Sequence, residues 1–242
     1  VAIYENKAVI GSVYSNDLDI ITGSASVFVF NDTWNETQNI FPENGEDYDF
    51  FGNDVDISSN RLAVGSFHAN NSYQNSGSVY IYNLNNNIYN FSFEINAFDE
   101  SVNDNFGQSI SIYNNYIAVG SINDDNGINS GAVYIYELNN NGITDEIKYI
   151  AQGVSAYDEF SGSLSLYNNK ILVGSQYDDD LGDESGSAYF FTYKGCSLES
   201  SCNYNLELLI DDNECFYPIN GFDCNGECYE IIDECGVCGG IG

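Results

Sequence analysis

Residues 106–121 read FGQSISIYNNYIAVGS, and this stretch decides the fold. Ile110 and Ile112 stand two apart, as on one face of a half-buried strand. The Asn-rich step YNNY at 113–116 suits a tight hairpin turn, with Asn115 placed two residues before the next apolar run. Ile117, Ala118 and Val119 then form an unbroken apolar triplet, which predicts a second strand buried on both faces.

The same text recurs along the chain. KAVIGS, RLAVGS, YIAVGS and KILVGS place their glycines at Gly11, Gly65, Gly120 and Gly174, so the spacings are 54, 55 and 54 residues. Ahead of each lies an alternating pair: Val1 and Ile3, Val55 and Ile57, Ile110 and Ile112, Leu164 and Leu166. All four pairs are expected on the buried side of a strand. The turn tetrads YENK, SSNR, YNNY and YNNK put Lys7, Arg61 and Lys170 at one shared position, where removal of the charge is expected to matter little.

A third strand follows in each unit, as SASVFVF, SGSVYIY, SGAVYIY and SGSAYFF. Its alternation sends Val79 and Ile81 to one layer and Tyr80 and Tyr82 to the other. A more polar fourth strand is expected around Trp34–Ile40, Tyr89–Ile95 and Ile143–Ile150, its polarity suiting an outer edge. Four strands per unit of this length describe a propeller blade.

Phe51-Gly52 and Phe106-Gly107 open a strand, Phe160-Ser161 stands in the third place, and Val-Gly-Ser closes the next strand. In this the chain resembles the FG-GAP repeat, known from integrin α-subunit propellers and from bacterial and viral surface proteins. The resemblance covers residues 1–194 and implies an all-β, FG-GAP β-propeller-like array of about four blades. Integrin-type repeats carry a D-x-D-x-D-G calcium cage between the first two strands; here only the short Asn turns stand there. Acidic residues gather instead between the second and third strands, as Asn123, Asp124 and Asp125 and as Asp178, Asp179 and Asp180. Hard oxygen ligands at this density suit calcium, against the plain reading of solvated loops. The first unit lacks its Phe-Gly and the last runs into Cys196 without a fourth strand. Four blades closing a small ring, a portion of a larger propeller, or an open stack completed by neighbours all fit, and the portion of a larger propeller is the favoured expectation.

Residues 195–242 form a second region holding every cysteine: Cys196, Cys202, Cys215, Cys224, Cys228, Cys235 and Cys238. Such clustering points to a disulfide framework in an oxidising compartment. The region resembles a cysteine module near the C-termini of secreted proteins of marine bacteria and large viruses, and DECGVCGG is similar to part of the cysteine-rich region of ADAMTS-type proteins. Seven is odd, so a partner cysteine beyond Gly242 or in another molecule is expected. Zinc at the pairs Cys224/Cys228 and Cys235/Cys238 is the competing reading. Sequons at Asn31, Asn35, Asn70 and Asn90 are candidate glycosylation sites.

Charge narrows the function. Against 37 Asp and Glu stand 5 Lys and Arg, a net −32, which repels nucleic acid and anionic bilayers and favours cations and high ionic strength. No run approaches the roughly 18 apolar residues of a membrane span, so membrane insertion is not expected. His68 is the single histidine, and neither a G-x-S-x-G elbow nor a phosphate-binding glycine loop occurs. The sequence thus favours a non-enzymatic, extracellular structural or adhesive component, secreted or displayed on a cell or virion, with self-association or surface proteins and glycans as partners. Its most concrete form is a filament or fibre subunit; the alternative is a calcium-dependent glycan- or protein-binding module.

Overall fold

The computed structural model describes residues 1–16, 20–124, 129–182, 184–202, 204, 210–211, 215–218, 222–224, 227–228 and 238. The chain divides into two compact units, Val1–Phe190 and Phe191–Gly242.

The first unit holds three antiparallel sheets of four strands and most of a fourth. Blade 1 runs β1 (Ala2–Tyr4), β2 (Lys7–Ser12), β3 (Ser24–Asn31) and β4 (Thr33–Ile40), and blade 2 runs β5 (Val55–Ser58), β6 (Arg61–Ser66), β7 (Ser78–Asn85) and β8 (Ile88–Ile95). Blade 3 runs β9 (Phe106–Tyr113), β10 (Tyr116–Ser121), β11 (Ala132–Asn139) and β12 (Gly142–Tyr149). Blade 4 has β13 (Phe160–Tyr167), β14 (Lys170–Ser175) and β15 (Ser187–Thr192). Within every blade, strands pair in chain order, as short hairpin connections dictate. Each first hairpin turns through a left-handed residue: Glu5, Ser59, Asn114 and Asn168 have φ of 53°, 55°, 54° and 56°. The strained position thus falls one residue before the asparagine that the sequence reading singled out, on Glu and Ser in two turns.

Alternation along the strands gives each blade two apolar faces, and successive blades bury them against each other. Ala2, Val9, Ala25, Val27 and Ile40 of blade 1 pack with Phe51, Val55, Ile57, Leu62 and Val64 of blade 2. Ala63, Val79, Ile81 and Ile95 on the other side of blade 2 pack with Phe106, Ile110, Ile112, Ile117 and Val119 of blade 3. Tyr82 belongs to the first cluster while Val79 and Ile81 belong to the second, as the alternation requires. The outer strands are polar, β4 being exposed over most of its length.

This two-sided packing corrects the expectation for the first strand. Val1 and Ile3 are 80% and 65% exposed, whereas their counterparts Val55, Ile57, Ile110 and Ile112 are buried. In blades 2 and 3 that side of the strand is covered by the preceding blade; in blade 1 no described residue covers it. Ile10 and Leu172 are exposed for the same reason, one on the free face of blade 1 and one on the free face of blade 4. Arg61 departs as well. It is buried, and its guanidinium donates to Asn115 Oδ1 of blade 3 at 3.1 Å, so it spans two blades while Lys7 and Lys170 do not share its burial.

The second unit is covalently tied. Cys196–Cys215, Cys202–Cys224 and Cys228–Cys238 are disulfides, and β16 (Lys194–Gly195) pairs in parallel with β17 (Ile210–Asp211). Cys224 and Cys228 therefore belong to different crosslinks rather than to one zinc half-site. Cys235 lies outside the described residues.

Candidate binding surfaces

Blade docking uses a device repeated three times. The residue before each leading aromatic, Phe50, Asn105 and Glu159, takes a left-handed φ of 57°, 61° and 50°. That swing aims the next backbone N–H at the preceding blade: Phe51 donates to Thr22 O at 2.9 Å, Phe106 to Ser76 O at 3.0 Å and Phe160 to Ser130 O at 2.9 Å. The phenyl rings are fully buried. Gly23, Gly77 and Gly131, in positive φ beside these aromatics, leave no room for a side chain, since a Cβ would overlap the carbonyl of Phe51, Phe106 or Phe160. Gly11, Gly65 and Gly120 face the second residue of each dipeptide in the same way, through the carbonyls of Gly52, Gly107 and Ser161.

A buried aspartate two residues ahead of each aromatic fixes the turn. Asp49, Asp104 and Asp158 accept from the backbone N–H of Glu46, Ser101 and Ser155, each at 2.6 Å. Their carbonyls accept from the hydroxyls of Ser66, Ser121 and Ser175 at 3.0, 2.8 and 2.8 Å. Further polar rungs cross from blade 2 to blade 3: Ile110 N and Ile112 N each donate at 2.7 Å, to Asp54 and Asp56. Asn53 donates to Gly107 O and Gln108 O.

Removal from water pushes three of these carboxyls up. Asp49 is raised to about 6 by burial, which the Glu46 N–H only partly offsets. Asp54 and Asp56 are raised by burial against the pull of their backbone donors. A raised carboxyl binds its proton more tightly folded than unfolded, so its stabilising effect is full below the unfolded value near 3.8 and is lost as pH rises through the folded value. The expected result is a melting temperature that increases from pH 7 to pH 5 at fixed ionic strength, with Asp49 contributing on the order of 1 kcal/mol over that window. Asp49→Asn, scanned over the same pH range, flattens the slope; an unchanged slope refutes the assignment.

The acidic loops are placed as follows. Asn123 sits in the turn after β10, its N–H on Asp104 O. Asp124 is buried and receives Lys148 Nζ at 2.8 Å and the hydroxyl of Tyr134. Lys148 also reaches Asp99 at 2.7 Å, and the Tyr134 hydroxyl lies 2.7 Å from Asp99. Burial alone would pull the Lys148 ammonium down, but Asp124 and Asp99 outweigh it and the net direction is up. An ammonium thus lies against Asp124, within the loop that the sequence marked for calcium. Asp125 lies outside the described residues. In blade 4, Asp178 is buried and accepts from the Tyr189 hydroxyl, which pulls its carboxyl below the usual range. Asp179 and Asp180 are exposed. The two loops belong to different blades, and among the described residues no three His, Cys, Asp or Glu come close enough to hold a metal ion.

Sequon residues Asn31, Asn35, Asn70 and Asn90 are all exposed. His68 joins an aromatic cluster with Tyr14, Tyr48, Phe50 and Phe67, the Phe50 and Phe67 rings stacking at 5.4 Å. Burial lowers its imidazole. The chain gives no sequence signal for this cluster, because its members lie in separate loops.

Repeated antiparallel blades, docked through an aromatic-led turn and followed by a disulfide-linked unit, define a propeller-type repeat protein. The chain belongs to the FG-GAP repeat family, whose model matches residues 34–82, 92–136 and 143–191. Each match starts on the outer strand of one blade and ends on the third strand of the next, so the family unit spans a blade boundary. No curated protein sequence matches the chain. Solved structures with local likeness include a europium-containing methanol dehydrogenase, at 12% identity and TM-score 0.34 over 58% of this chain and 24% of that one. Another is a subtype N10 neuraminidase-like protein of A/little yellow-shouldered bat/Guatemala/060/2010, at 10% identity and TM-score 0.38 over 78% and 58%. The chain thus spans less than two thirds of either. FG-GAP repeats together with three disulfides suggest an extracellular protein. Among the described residues no helix is long and apolar enough to cross a membrane.

Proposed function

We propose that the chain is a non-enzymatic structural or adhesive surface component that works through blade faces, most concretely as a subunit of a filament or fibre. One observation carries this reading: the free faces of blades 1 and 4 expose Val1, Ile3, Ile10, Leu172 and Phe190, residues whose counterparts elsewhere in the chain are buried between blades. Faces of this kind, left in water, favour association. A net charge of −32 opposes it until ions screen the repulsion. Ordered assembly is therefore expected to strengthen with sodium chloride or calcium, as followed by light scattering and electron microscopy. Leu172→Asp and Phe190→Asp, both at exposed positions, are expected to abolish it without lowering the melting temperature. A protein that stays monomeric across the whole series overturns the reading. The aromatic cluster around Phe50 favours a second one, ligand binding by the loops, and retention on a glycan surface only with calcium is the outcome that selects it.

A further inference from the structure

Blades 2 and 3 set opposite charges at one position of the same hairpin. In blade 3, Tyr134 of β11 stands across from Lys148 of β12. The ammonium lies 5.3 Å from the centre of the Tyr134 ring and is held by Asp99 and Asp124 at 2.7 and 2.8 Å. In blade 2 the pair is Tyr80 of β7 and Glu94 of β8. By the step that separates Gly65 from Gly120, Asn44 stands for Asp99 and Ala69 for Asp124. Blade 2 therefore supplies a carboxylate where blade 3 supplies a cation. At that point opens a cavity of about 70 Å³ lined by Glu43, Asn44, Tyr80, Tyr82, Phe91 and Glu94. The Phe91 ring lies 6.4 Å from that of Tyr80 and 5.8 Å from that of Tyr82, so three aromatic rings wall it. One oxygen of Glu94 is fixed by the Ser78 hydroxyl at 2.6 Å. Tyr82 is 5% exposed, and no described group hydrogen-bonds its hydroxyl, whereas its counterpart Tyr136 donates to Asn96 O at 3.3 Å. Burial raises the Tyr82 phenol, and Tyr80, Glu43 and Glu94 raise it further, which sets the hydroxyl beside the carboxylates at the cavity. None of the five basic residues of the chain is among the lining residues.

We propose that this cavity binds the primary ammonium group of an alkylamine, presented as a free amine or as a lysine side chain, with Glu43 and Glu94 as counter-ions and Tyr80, Tyr82 and Phe91 as walls. An ammonium carries three N–H donors and no acceptor, which suits two carboxylates and a buried phenol oxygen that has no other partner. The aromatic faces attract the same charge. Volume sets the upper limit on the occupant: the cavity holds a group of a few heavy atoms and is too small for a sugar ring or a drug-sized ligand. Lys148 shows the arrangement already at work within the chain, an ammonium over a tyrosine ring between two carboxylates. The proposal does not rest on assembly through blade faces, because its residues belong to blade 2 and to the loop that leads into it.

The test is a titration of the intact protein at pH 7 and fixed ionic strength with n-butylammonium, and in parallel with Nα-acetyl-lysine methylamide, followed by NMR at the backbone amides of Tyr80 and Glu94. Saturation with a millimolar dissociation constant is expected, and neutral n-butanol is expected to leave those amides unmoved. Saturation by both amines supports a lysine side chain as the natural source; saturation by butylammonium alone supports a free amine. Glu94→Gln is expected to weaken binding by about tenfold. Glu94→Lys, which gives blade 2 the ammonium that blade 3 already carries, is expected to abolish saturation without lowering the melting temperature. No saturation up to about 50 mM, equal shifts with n-butanol, or equal affinity in both Glu94 variants overturns the proposal. Displacement by potassium chloride at equal concentration also overturns it, reducing the site to one for adventitious monovalent ions.

Discussion

Val119→Asp is expected to leave the chain unfolded and undetectable as a soluble, secreted product. Val119 is fully buried in the middle of β10, within the cluster that joins blades 2 and 3. Replacing it forfeits about 1.5–3 kcal/mol of apolar burial. It also sets a carboxylate within the apolar cluster that holds Ile81, Ile110 and Phe106. An uncharged acid there still lacks hydrogen-bond partners, at a further cost of roughly 2–7 kcal/mol. The sum, roughly 3.5–10 kcal/mol, is comparable with the 5–15 kcal/mol that holds a typical domain together. The effect should spread beyond one blade, because the residue serves an interface rather than a private core. Limited proteolysis and far-ultraviolet circular dichroism of the purified variant check it. A protein that melts cooperatively near the wild-type temperature shows that β10 is not the buried centre of its blade.

How much of this was legible beforehand depended on whether a feature repeats. The glycines at 11, 65, 120 and 174 and the alternation around Val79–Tyr82 recur in register, so strand order, the two-faced blades and the polar outer strands could all be read. Burial of Val1 and Ile3 could not. Periodicity says which residues share a face, whereas the cover over that face is a property of the neighbouring blade. Arg61 and Lys7 look alike in sequence for the same reason, and only the opposing Asn115 makes one of them an interblade contact. The aspartate ahead of each leading aromatic does repeat, at 49, 104 and 158. Its role stayed hidden because a carboxylate in so acidic a chain reads as solvent-facing, and nothing local reveals that the backbone folds over it.

Lys148→Gln is expected to destabilise the chain by about 3 kcal/mol or more, the largest effect of any change among its five basic residues. The ammonium sits between Asp99 and Asp124 with Tyr134 alongside. Asp99 is partly exposed, and its share of the pairing is screened by solvent. Asp124 is not: its side chain is 3% exposed, so losing the cation leaves a buried carboxylate beside the Tyr134 hydroxyl. Breaking such a pair from one side typically costs about 3–5 kcal/mol, much of it the penalty on the charge left behind. The double change Lys148→Gln with Asp124→Asn removes that charge too, and is expected to recover most of the loss. Denaturant titration of wild type, both single variants and the double variant closes the cycle. If the two changes add, with no recovery in the double variant, the ammonium and the Asp124 carboxylate are not energetically coupled and the prediction fails.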